Sequence, residues 1–64
     1  MFKEYEVVRL KKDMPSDNLT IKDVGTIVLV YENAHPIAYE VEFSDKNGLT
    51  RALLTLTAED IERV

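Results

Sequence analysis

The run Asp23-Val24-Gly25-Thr26-Ile27-Val28-Leu29-Val30-Tyr31 constrains this chain more than any other segment. β-Branched residues pack well on a pleated surface and lose side-chain freedom in a helix, so the run reads as a strand. A strand with one wet face alternates apolar and polar residues. This one does not alternate: Val24, Val28 and Val30 are apolar on one parity, Ile27, Leu29 and Tyr31 on the other. Either a bulge switches the parity within the run, or both of its faces are covered. The sequence leaves open which face of Val24–Tyr31 is buried. Gly25, near the head of the run, suits a sharp bend or a close backbone approach.

The flanking segments read as further short strands. Residues 5–10 form a β-branched first strand with Val7 and Val8 at its centre. Residues 11–23 form a long loop with a turn-forming cluster, Pro15, Ser16, Asp17 and Asn18. Met14, Leu19 and Ile21 are spaced to pin that loop onto the core. The apolar run is expected to be the second strand, over 24–32, followed by a turn at Asn33-Ala34-His35-Pro36. Residues 37–43 then alternate cleanly, with Ile37, Tyr39, Val41 and Phe43 inward and Ala38, Glu40 and Glu42 outward. Asn47-Gly48 is a strong hairpin signal. It leads into a fourth strand, Thr50–Thr57, with Ala52, Leu54 and Leu56 inward, Thr50 on their parity, and Arg51, Leu53 and Thr55 outward. Thr57 and Asp60 resemble a capping box, which predicts one helical turn before a last strand at 61–64. This order predicts an all-β fold: an SH3-like barrel of about five antiparallel strands, in a single domain over residues 1–64.

Composition excludes several classes. A 64-residue chain has room for one small core, burying roughly 60% of its unfolded surface. Without cysteine there is no disulfide and no thiolate metal site, and a reducing compartment fits. No run of about 18 apolar residues exists, so no membrane helix is expected, and the first residues lack a signal-peptide core. A soluble cytoplasmic protein is the expectation. The net charge of −4 opposes broad binding to polyanions.

Four pieces together resemble a family of short bacterial proteins, frequent in cyanobacteria and catalogued only as a domain of unknown function. They are Glu4-Tyr5-Glu6-Val7-Val8-Arg9-Leu10, Asp23-Val24-Gly25-Thr26-Ile27-Val28, Tyr39-Glu40-Val41-Glu42-Phe43 and Ala52-Leu53-Leu54-Thr55-Leu56. The Val-Gly-Thr-Ile-Val core is also similar to that of other SH3-like barrels, including docking subunits of photosynthetic complexes and ribosome-associated barrels. That wider resemblance implies fold rather than activity. The nearer one implies an antitoxin or immunity-like role, because such proteins are encoded beside toxin-like neighbours. It carries no catalytic residues over.

No constellation of residues supports catalysis, so no enzyme and no cofactor are expected. His35 lacks a partner nucleophile and reads as a turn residue. Asp45-Lys46-Asn47-Gly48 has a fragment of a calcium-loop pattern, but the twelfth position from Asp45 is Leu56 rather than glutamate. Asp13, Asp17 and Asp23 read as a solvated loop. Val7, Leu29 and Leu53 are surplus to one small interior, and exposed apolar patches mark interfaces. With the acidic residues Glu40 and Glu42 they form the candidate partner surface, for another protein or for a second copy. Glu59, Asp60 and Glu62 add negative charge near the end. The alternative is a nucleic-acid surface of Tyr5, Arg9, Lys11 and Lys12 beside Lys3, combining phosphate contact with stacking. A structural subunit of a larger complex is a third reading.

Overall fold

The computed structural model describes residues 1–64. It is all-β: β1 (Val7–Leu10), β2 (Val24–Tyr31), β3 (Ala38–Ser44), β4 (Thr50–Thr57) and β5 (Ile61–Arg63). Every pairing is antiparallel, and the strands form one sheet in the order β4-β3-β2-β1-β5. The expected class and strand count are therefore the observed ones. β1 starts later than expected because Tyr5 takes a left-handed backbone, φ 68°, which ends extended structure there. Tyr5 nevertheless donates its N–H to the Ile27 carbonyl at 2.6 Å, which holds the N-terminal segment against β2.

The inner face of the sheet carries the core. Val8, Leu10, Ile27, Tyr39, Val41, Phe43, Leu56 and Ile61 are buried, with Leu19 from the first loop and Phe2 from the N-terminal segment. Val30, Ile37, Ala52 and Leu54 pack against them. The alternation expected in β3 and in most of β4 is thus observed.

A bulge resolves the two-faced strand. Ile27 pairs with Val41, yet Leu29 pairs with Glu40, so Val28 is the extra residue. Before the bulge Gly25 and Ile27 point inward; after it Val30 does, and Leu29 and Tyr31 point out. Gly25 lies so close to β3 that a Cβ there would sit 2.7 Å from Cγ1 of Val41 and 2.9 Å from the Glu42 carbonyl oxygen.

A second bulge corrects the expected facing at the start of β4. Phe43 pairs with Ala52 and Ser44 with Thr50, which leaves Arg51 outside the ladder. Thr50 consequently joins Glu42 on the outer face, its Oγ1 donating to Glu42 Oε2 at 2.6 Å. Arg51 turns to the first loop instead. It donates to Asp23 Oδ1 at 3.0 Å and to the Asn18 carbonyl at 2.9 Å.

The connections differ in detail from the sequence reading. The single helical turn is a 3-10 turn at Pro15–Asp17 in the first loop, closed by Asn18 in the left-handed region. The segment before β5 is a hydrogen-bonded turn, Asp60 N–H to Thr57 carbonyl at 2.9 Å. Asp60 Oδ2 accepts from the Thr57 N–H at 2.9 Å, so the capping contact forms without a helix. Leu19 and Met14 pin the first loop, bridged to each other, whereas Ile21 is half exposed and does not. The β3–β4 hairpin turns on Asp45, whose Oδ1 accepts from the N–H groups of Asn47 and Leu49. Gly48 takes the positive φ of 83° and Asn47 does not, which excludes the two-residue type I′ turn.

Candidate functional site

The outer face of β1–β4 collects the candidate partner surface. The ladders align Val7 with Thr26, Thr26 with Glu42, and Glu42 with Leu53, one row across four strands. The next row is Leu29, Glu40 and Thr55. Directly opposed residues on one face of a sheet are neighbours, so all five candidates share one continuous surface. Val7 is 46% exposed, Leu29 44% and Leu53 53%. The parity switch at Val28 is what puts Leu29 there.

The two carboxylates are held by hydroxyl groups. Glu40 Oε1 accepts from Thr55 Oγ1 at 2.6 Å and from the Tyr31 hydroxyl at 3.3 Å. Glu42 accepts from Thr50, as described above. Neither forms a salt bridge: the four ion pairs are Arg9–Glu62, Lys12–Asp60, Arg51–Asp23 and Arg63–Glu6. Partial desolvation pushes the Tyr31 phenol above its usual value, and the Glu40 charge pushes it the same way. Tyr31 also lines an open groove with Asn33, Ala34, Ala38 and Thr55, at the end of the face away from Leu53. Tyr31 was not among the candidates drawn from the sequence. Its place on the outer parity with Leu29 was the available signal, once the bulge is known.

The alternative surface is not assembled in one place. Tyr5 lies 75% exposed before the start of β1, and Lys11 and Lys12 follow its end, so the strand separates the aromatic from the lysines. Arg9 is paired with Glu62 at 3.1 Å and Lys12 with Asp60 at 3.3 Å. These pairs place negative charge beside the basic residues.

The N-terminal segment forms a structured end to the core. The Phe2 ring meets Tyr39 edge-on, centroids 5.4 Å apart and planes at 87°. The Phe2 N–H donates to the buried Tyr39 hydroxyl at 3.2 Å. Arg63 lies over the Phe2 ring, 4.8 Å from its centroid, and pairs with Glu6. The Glu6 carboxyl is held below its usual value, first by the Lys3 N–H and then by Arg63.

No group of three or more His, Cys, Asp or Glu side chains is placed to hold a metal ion. No helix is long and apolar enough to cross a membrane. Comparison with curated proteins and with solved structures returned no match. Residues 4–63 match the family described as "Domain of unknown function (DUF4926)", and the chain belongs to that family.

Proposed function

We propose that this chain is a non-enzymatic interaction module that docks on another protein through the outer face of β1–β4. One observation carries the reading: the strand register gathers Val7, Leu29 and Leu53 around Glu40 and Glu42 on a face that nothing in the chain covers. Apolar side chains supply burial on docking, and the carboxylates supply orientation and rate of encounter. The strand order supports an SH3-like description of the fold, a scaffold that serves many interaction roles. The sharper form of the reading is antitoxin or immunity-like: a cytoplasmic partner masked by steric cover, with charge complementarity setting the on-rate.

The nucleic-acid reading draws less support, because Tyr5 stands apart from the lysines and two of the basic residues are paired with carboxylates. Affinity capture of the tagged chain from native lysate, with and without nuclease, separates the two. A stoichiometric protein that survives nuclease and is lost with Leu53→Asp is the expected result. Companions that disappear on nuclease treatment would replace the docking reading with the nucleic-acid one.

A further inference from the structure

The sheet has two edges, and the chain treats them differently. β5 is three residues long and bears Glu62 and Arg63. Short length and charge blunt that edge, and Arg63 also ties the N-terminal segment beside it, lying over Phe2 and donating to the Met1 carbonyl at 3.3 Å. β4 is eight residues long, and its far side pairs with no other strand. Beyond Arg51 it reads Ala-Leu-Leu-Thr-Leu-Thr, with no charge, no proline and no bulge. Those are the devices by which proteins usually blunt an edge, since an unpaired strand presents a row of free N–H and C=O groups. A long bare edge beside a blunted one is the geometry of strand addition, in which an extended segment of a partner continues the sheet.

The charge beside the edge selects the guest. Thr50 and Thr55 draw the carboxylates of Glu42 and Glu40 toward β4, at 2.6 Å each. No cation neutralises either one, and Arg51, the one cation of β4, is turned away onto Asp23 and Asn18. A second copy of the chain would bring the same two carboxylates and a further net charge of −4. Resting on the docking reading above, we propose that β4 is the docking edge for an extended partner segment that alternates apolar and basic side chains. Its backbone pairs with β4, its apolar side chains meet the partly buried Ala52 and Leu54 at the rim of the core, and its lysines or arginines reach Glu40 and Glu42 on the outer face.

The test titrates the isotope-labelled full chain with synthetic peptides of β4 length, alternating valine with lysine, glutamate or serine, and follows every backbone amide. The lysine peptide is expected to shift amides along residues 52–57 saturably, about tenfold more tightly than the serine peptide and with loss of affinity in salt. N-methylation of the peptide on its pairing side should abolish the shifts, and the double variant Glu40→Gln/Glu42→Gln should remove the lysine preference. Equal binding of the three peptides would overturn the charge argument. Shifts confined to Val7, Leu29 and Leu53, with the β4 edge silent, would overturn strand addition while sparing the docking face. No shift with any peptide would also overturn strand addition, and the docking face would then stand or fall by the lysate capture.

Discussion

Gly25 passes so close beneath Val41 that a single added methyl group would come within 2.7 Å of its Cγ1. The Glu42 carbonyl and the Phe43 ring, both 2.9 Å from the same point, close the other directions. The side chains of Val41 and Phe43 pack across this position only because it has no side chain of its own. Gly25→Ala is therefore expected to destabilise the fold by about 1–3 kcal/mol, the usual range for overpacking a filled interior. Urea unfolding checks this, with a lowered midpoint and an unchanged slope. An unshifted midpoint would mean that β3 moves aside without cost.

The Tyr39 hydroxyl is the sole side-chain partner of the Phe2 N–H. Tyr39→Phe keeps the edge-on contact with Phe2 but leaves that N–H without its acceptor. A cost of about 1–2 kcal/mol is expected for an unsatisfied group at a buried site. Amide exchange gives the sharper measurement: protection should fall at Phe2 before it falls at Val41.

Acid should unfold this chain through three carboxyls. Asp23, Asp60 and Glu6 are each held below their usual values of 3.8, 3.8 and 4.5, first by the backbone N–H groups of Thr20, Thr57 and Lys3. Arg51, Lys12 and Arg63 then lower them further. A carboxyl with a depressed folded pKa binds its proton more weakly in the folded state. Its contribution is full above the unfolded value and is lost as the pH falls through the folded one. Stability should be flat near neutrality and decline below about pH 4. Asp60→Asn should lower stability at neutral pH, and its deficit should shrink in acid. A deficit that is constant across the titration would show that the charge of Asp60 plays no part.

Leu53 lies opposite Glu42, which allows docking to be separated from folding. Leu53→Lys sets unlike charges across the ladder and should leave stability unchanged or raise it by about 0.2–1 kcal/mol. Leu53→Asp sets like charges there and should lower it by a similar amount. Both remove the apolar contact, so both should lose the captured partner. Capture that follows stability instead, retained with lysine and lost with aspartate, would show that Leu53 does not touch the partner.

Most of the strand layout was legible in the residues, and the reasons are local. β3 alternates without interruption through Tyr39, Val41 and Phe43, so its faces follow from period alone. The facing of β2 does not, because the extra residue at Val28 is defined only by what stands opposite in β3. The same holds at Arg51, where one unpaired residue sends Thr50 outward and the guanidinium onto the first loop. Of the candidate surface, Glu40, Glu42 and Leu53 were readable from parity, Val7 and Leu29 as apolar residues surplus to one interior, and the row that joins them only from register. Phe2 went unassigned because two residues ahead of a turn carry no periodicity, and its role depends on Tyr39, far away in sequence.

The bare edge of β4 has a consequence for the chain in crowded solution. A strand that can accept a guest can also accept its own kind, and what opposes this is the surplus of acidic over basic side chains, net −4. That opposition is electrostatic and acts over about a Debye length, so dissolved salt weakens it while leaving the edge intact. Colloidal stability and conformational stability therefore part company in this protein. Salt is a mild condition for the folded core and a hazard for its solubility, and an occupant on β4 would protect the solution as much as it serves the partner.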